Sequence, residues 1–316
     1  MKKLLATILA LVMALGLTAT AWAAQPTPPA VAEKGGTTYT DLHQALEEAK
    51  NGGTVNLLRD VELTDTWTPV GTSSEPFKGT FDGNGHKITG LKINAGSYIG
   101  LFGYVGEGAE IKNVNLVGAN VFGEKRVGAL IGQIKGNATV SKCTVDSTSH
   151  VAGSDSNTGG LIGEAAGTIT VTLEYLTNNA SVTNTENGTS RAAGIIAQVT
   201  SGANVTITNC VNNGAITTNN GYAGGIVAAK QGGSKVLFEN CSNAGTLTGN
   251  YTGSLIAWLV GGNWLSMTNS GDARTAIGAV NISGNEGYTF YFTIDGEEYY
   301  IRKQGGAEDS DTKFSA

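Results

Sequence analysis

From about residue 100 to residue 270 the chain repeats one short pattern six times, and few folds tolerate that. The segments GLFGYV, ALIGQI, GLIGEA, GIIAQV, GIVAAK and SLIAWL begin at Gly100, Ala129, Gly160, Gly194, Gly225 and Ser254. Their first large apolar residues are Leu101, Leu130, Leu161, Ile195, Ile226 and Leu255, spaced by 29, 31, 34, 31 and 29 residues. A second row, Val114, Cys143, Tyr175, Cys210, Cys241 and Met267, trails the first by 13, 13, 14, 15, 15 and 12. Two rows in near-constant phase mean that one structural unit is used again and again.

A unit of this length is a solenoid turn. Helical repeats need apolar residues three and four apart, and these are absent; propeller blades need about 40–45 residues. The apolar runs are short and bounded by glycine. Glycine contributes 46 of 316 residues, which excludes long helices, since each interior glycine costs about 1 kcal/mol there. No proline follows Pro76, as expected of strands that must donate to a ladder on every coil. The expected fold class is therefore all-β, a parallel β-helix in which each repeat is one coil. Glycine and asparagine serve its left-handed corners, and asparagines stack between coils. With 40% apolar residues and a net charge of −6, the chain is neither disordered nor a nucleic-acid binder.

The Gly100-Leu101-Phe102-Gly103 segment resembles the GLUG-motif repeats of bacterial surface proteins. So does the stretch before it, Trp67-Thr68-Pro69-Val70-Gly71 followed by Phe77-Lys78-Gly79-Thr80-Phe81-Asp82-Gly83-Asn84-Gly85-His86-Lys87-Ile88. Residues 79–88 also look like coils of pectin-degrading enzymes. The resemblance spans about residues 37–280. It implies a right-handed helix and an adhesin-like or accessory role at the cell surface, with no catalytic residues. Ala197, Ala228 and Ala257 stand where the motif has its second glycine, a drift that keeps the position small.

The termini divide the chain further. Residues 1–23 read as a signal peptide: Lys2 and Lys3, an apolar run too short to span a bilayer, then Ala21-Trp22-Ala23. Secretion to the exterior or the cell surface follows, with no membrane span after signal removal. Residues 24–36 hold three of the five prolines and read as a linker. The repeat domain is expected over 37–287, opened by a capping helix at 41–50 with Asp41 as N-cap. Residues 288–316 are expected to form a C-terminal β-hairpin around Asp295-Gly296, covering the last coil, and a loose polar tail.

Three features leave alternatives. Cys143, Cys210 and Cys241 share one repeat position, which favours buried free thiols, although Cys210 and Cys241 on adjacent coils are near enough for a disulfide. The adjacent apolar pairs, such as Leu130-Ile131 and Ile195-Ile196, either straddle a bend with both side chains inward or leave an outer apolar stripe. Glu164, between Gln133 and Gln198 in its row, reads as part of a solvated face.

No catalytic constellation stands out. The histidines His43, His86 and His150 are scattered, with no metal-ligand spacing and no G-x-S-x-G segment. We therefore expect a non-enzymatic adhesive or structural protein, with no cofactor and no metal. The alternatives are a polysaccharide lyase or glycoside hydrolase of β-helix fold, for which Asp146, Asp155 and Arg191 could meet, and a scaffold repeat without ligand. The longer spacings, 143–161 and 175–195, carry His150, Asp155, Asn157, Glu186 and Arg191. These are the candidate binding residues, for a glycan or for a host or cell-surface protein.

Overall fold

Each turn of the chain adds one short strand to each of five parallel faces, so the repeat is one coil of a β-solenoid. The computed structural model describes residues 28–94, 96–260, 265–268, 277–281, 289–294, 297–302 and 312–313; the expected signal segment lies outside them. One coil shows the plan. Ala138–Ser141 lies on face 1, Thr144–Val145 on face 2, His150–Gly153 on face 3, Asn157–Gly159 on face 4 and Ile162–Ala165 on face 5. Among the described residues the faces hold 12, 7, 6, 5 and 8 strands respectively.

Stacking in register turns sequence rows into columns of the core. On face 1, Ile111, Val140, Leu173, Ile207 and Phe238 pair level with one another and are all buried. Both residues of every adjacent apolar pair are buried as well: Leu101 with Phe102, Leu130 with Ile131, Leu161 with Ile162, and so on to Leu255 with Ile256. The bend is what the chain makes, and there is no outer stripe. Burying each such side chain stabilises by about 1.5–3 kcal/mol. The residue after the pair is small in every coil, alanine in three of them; in the coil of Leu161 and Ile162 it must be glycine, since a Cβ on Gly163 would stand 2.6 Å from the backbone of Arg126 and of Gly132.

The second row needs correction in two places. Tyr175 is 54% exposed. It occupies the corner between faces 1 and 2, where Asn113, Lys142, Asn209 and Asn240 also have φ between 52° and 55°. Leu176, the next residue, is the buried one, and it restores an offset of 15 from Leu161. Met267 pairs level with Phe238 and so belongs to face 1, not to the cysteine column. The three cysteines are buried free thiols. Burial pushes the Cys143 thiol up to about 12 and raises Cys210 as well. Beside that column runs an asparagine ladder. Asn178 Nδ2 donates to Asn212 Oδ1 at 2.7 Å, and Asn212 Nδ2 donates to Asn243 Oδ1 at 2.6 Å.

Both ends of face 1 close by the same device. At the start, Ala32–Lys34 pairs antiparallel with Thr54–Leu57 and with Thr37–Tyr39, so part of the expected linker is a strand. The helix Leu42–Glu48 lies next to it, its N-cap Asp41 accepting from the backbone of His43 and Gln44, with Leu42, Ala45 and Leu46 buried. At the other end, Thr289–Ile294 adds in parallel to Leu265–Thr268, and Glu297–Arg302 then pairs with it antiparallel. The expected hairpin is present, while its turn at 295–296 lies outside the described residues. Within the expected loose tail, Thr312–Lys313 pairs with Ile277–Asn281.

Candidate functional site

The corner between faces 4 and 5 is concave. Side chains that point outward on either side of a convex corner diverge, but here they touch. Asn157 on face 4 donates from Nδ2 to Glu164 Oε2 at 2.9 Å and to Gln198 Oε1 at 2.5 Å on face 5. The backbone of Arg126 packs so close at this corner that a Cβ on Gly163 would stand 2.6 Å from it. Two outward columns therefore meet along the solenoid axis. The face 5 column runs Tyr104, Gln133, Glu164, Gln198, Ala229 and Trp258. The facing column includes Asn157, Arg191, Tyr222 and Tyr251 in register; Arg126 and Tyr98 precede the paired residues Val127 and Ile99 and continue it.

The middle of this ridge is a polar network. Glu164 is 3% exposed and Gln198 4%, so the row expected to be a solvated face is closed over by its neighbours. Glu164 accepts from Arg126 Nε at 3.0 Å, from Gln133 Nε2 at 2.7 Å and from Asn157. A buried carboxylate is tolerated only with such donors. Arg191 Nη1 reaches Asn157 Oδ1 at 3.4 Å. Burial holds the Arg191 guanidinium below its usual range, against the favourable charges of Tyr222, Glu186 and Glu164.

Aromatic rings with stacked cations flank the network on both sides. At one end Tyr98 stacks on Tyr104 at 4.8 Å, with Arg126 5.1 Å from the Tyr98 ring and Lys135 5.8 Å from the Tyr104 ring. At the other, Tyr222 stacks on Tyr251 at 5.0 Å and on Trp258 at 4.6 Å, and Arg191 lies 4.9 Å from the Trp258 ring. Tyr98 and Arg126 have φ of 62° and 52°. They hold the same left-handed corner position on successive coils, as Lys142 and Tyr175 do at the corner of faces 1 and 2.

The five expected site residues separate. Asn157 and Arg191 lie in the ridge, each on a strand and not on a loop. Asp155 sits at its margin, ion-paired to Lys125 at 3.2 Å. The Ser156 backbone N–H and then the Lys125 ammonium hold its carboxyl below the usual range. Glu186 lies on the 185–190 turn with one carboxylate oxygen buried and unpartnered. His150 is elsewhere, on face 3, bonded through Nδ1 to Ser181 Oγ at 2.8 Å. Asp146 stands after face 2 and is occupied by Thr148, Ser149 and the Gly118 N–H, so it does not join Asp155 and Arg191. Among the described residues no group of three His, Cys, Asp or Glu could hold a metal ion. No helix there is long and apolar enough to cross a membrane.

Sequence reasoning missed the aromatic half of the ridge. Gln133, Glu164 and Gln198 recur at one repeat position, which was the available signal. Tyr104 and Trp258 stand at that same repeat position and Tyr222 and Tyr251 lie one period of 29 residues apart, so the period marks their places although aromatic residues do not recur along the whole row.

No protein-family model matches the chain, and none therefore supports the GLUG resemblance. Over 90 residues, 26% of the chain, it is 39% identical to a "Putative Gly-rich membrane protein" of Evansella cellulosilytica. Over 112 residues, 30% of the chain, it is 32% identical to "Halomucin" of Haloquadratum walsbyi. These matches span only 10% and 1% of those two proteins. A crystal structure of a "putative immunoglobulin A1 protease" from Bacteroides ovatus shares the fold at a TM-score of 0.58 and 19% identity, covering 81% of this chain and 75% of that one. The expectation of a chain without enzymatic activity is corrected by this neighbour, whose description is that of an enzyme. At this identity the likeness shows the fold alone, and no protease residue is carried over.

Proposed function

We propose that the chain is a secreted or cell-surface β-solenoid with an adhesive or structural binding role, and that it holds an extended partner along the ridge between faces 4 and 5. The ridge itself carries this reading. It is an axial strip of hydrogen-bonding and aromatic side chains, interrupted on face 5 by Ala229, seated on strands whose ladder fixes their positions. Rigid placement of polar groups is what a recognition surface requires. The surface setting is supported by the signal-like N-terminus and the resemblance of residues 100–103 to GLUG repeats. The names of the two relatives, a membrane protein and a halomucin, agree with it.

The test is incubation of the full-length chain with a panel of polysaccharides and cell-surface proteins, scoring both retention and product release. Retention that is lost in Tyr251→Ala and Trp258→Ala supports the reading. Retention unchanged in both variants moves the site off the ridge. Release of shortened or unsaturated sugars identifies a polysaccharide-cleaving solenoid instead.

A further inference from the structure

One turn between faces 3 and 4 is longer than its neighbours along the axis. Gly153, Asn184 and Thr218 are level with one another, as are Asn157, Arg191 and Tyr222. From the first level to the second the chain takes four steps at 153–157 and four at 218–222, but seven at 184–191. The extra length is Glu186-Asn187-Gly188-Thr189, of which Asn187, Gly188 and Thr189 are exposed.

That turn carries one of the chain's five Asn-Gly pairs; the others are Asn51-Gly52, Asn84-Gly85, Asn213-Gly214 and Asn220-Gly221. Such a pair is chemically labile, because a glycine has no Cβ to keep its amide nitrogen away from the preceding side-chain carboxamide. Whether the nitrogen can attack depends on what holds its N–H. In four pairs the N–H is held. Gly52 donates to Ala49 O at 2.9 Å, Gly85 to Asn113 O at 3.1 Å, Gly214 to Asn178 O at 3.3 Å and Gly221 to Thr218 Oγ1 at 3.3 Å. The carboxamides of Asn84 and Asn213 are held as well, donating to Leu57 O and to Asn179 Oδ1. Among the described residues nothing accepts from the Gly188 N–H. Gly188 has φ +144°, and a Cβ placed on it would meet nothing within 4 Å, so the nitrogen and the neighbouring carboxamide are free to move toward each other.

We propose that Asn187 is a self-modification site, converting spontaneously in the folded protein to aspartate and isoaspartate. The Gly188 nitrogen attacks Asn187 Cγ and gives its proton to solvent. The N–Cγ bond forms, the Cγ–Nδ2 bond breaks, and Nδ2 takes a proton from solvent and leaves as ammonia. The product is a five-membered succinimide. Water then opens the ring at either carbonyl. Breaking the N–Cγ bond gives aspartate; breaking the bond from nitrogen to the Asn187 main-chain carbonyl carbon gives isoaspartate, with the backbone rerouted through the side chain. Water is the only co-reactant, and nothing is oxidised or reduced. Either product sets a new carboxylate next to Glu186 and four residues before Arg191, at the margin of the ridge. Isoaspartate also lengthens the turn by a methylene. The proposal stands whether or not the ridge binds a partner.

The test follows all five asparagines by peptide mass spectrometry while the full-length chain is aged in buffer, folded in one sample and unfolded in guanidinium in the other. Asn187→Gln is aged beside it, and melting curves confirm that this variant folds. In the unfolded chain the five pairs should convert at similar rates, since glycine follows every one. In the folded chain Asn187 should keep its unfolded rate, while the other four slow by about tenfold or more, because each must first open the hydrogen bond on its glycine. The aged protein should elute as a more acidic species in ion exchange, with two products of one mass at position 187, and Asn187→Gln should remove that shift. A folded chain in which Asn187 converts no faster than the other four, or not at all, overturns the proposal. So does an acidic shift that persists undiminished in Asn187→Gln.

Discussion

Lys230 offers a sharp test of how the interior is built. It sits in an inward row of face 5, level with Val199 on one coil and Leu259 on the next. It is 0% exposed, and its Nζ has no hydrogen-bond partner. Burial without a partner pushes the amine down from 10.5 to about 8. The unfolded chain therefore binds a proton more tightly than the folded chain does. Below pH 8 both states are protonated and the folded state carries the whole penalty. Between about pH 8 and 10.5 the folded state has released its proton and the unfolded state has not, so stability rises with pH. Each pKa unit is worth about 1.36 kcal/mol, so the penalty at pH 7 is roughly 3 kcal/mol. Lys230→Met keeps the length of the side chain and removes the charge. Its advantage over the parent should be larger at pH 7 than at about pH 11 by about 3 kcal/mol, the part of the penalty that belongs to the charge. Urea unfolding followed by circular dichroism at pH 7, 9 and 11 measures the difference, and changes common to both proteins cancel. A difference that stays flat across that range would refute the reasoning.

Four further outcomes are expected. Tyr175→Asn should raise stability by about 0.5–1 kcal/mol, read from the denaturant midpoint, because asparagine tolerates the left-handed corner that Tyr175 occupies at φ 54°. Asn212→Ala removes the middle rung of the asparagine ladder, orphaning groups on Asn178, Asn243 and Gly214; it should cost about 3 kcal/mol, and a cost below 1 would mean the ladder is incidental. Arg126→Leu strands the Glu164 carboxylate and should cost about 3–5 kcal/mol, most of it recovered when Glu164→Gln is added; a double variant no better than the single one contradicts the network. Removing residues 289–316 takes away the strands that end face 1 and uncovers the edge of Leu265–Thr268; the truncated chain should self-associate in sedimentation, and a monomer with unchanged melting would contradict a capping role.

Much of this architecture was legible in one dimension. A period near thirty, with apolar rows in phase and no proline after residue 76, already requires coils that pair strand on strand. The buried cysteine column and the asparagine ladder follow from the same phase, because residues one period apart become neighbours along the axis. The errors also came from phase. The row reads Tyr175 where the structure buries Leu176, because a one-residue slip at a corner leaves the spacing almost unchanged but exchanges inside for outside.

What periodicity cannot supply is the angle of a corner. Only the tertiary structure shows that faces 4 and 5 meet inward, with the backbone of Arg126 packed where a side chain on Gly163 would stand. That closure brings Asn157 onto Glu164 across the corner and sets Arg191 against Trp258, 67 residues later in the chain. It also buries a carboxylate, Glu164, that its place between Gln133 and Gln198 in the row assigns to a solvated face. Contacts along the axis repeat with the sequence, whereas contacts across a corner depend on how tightly the backbone bends, and so the ridge emerges only from the folded coil.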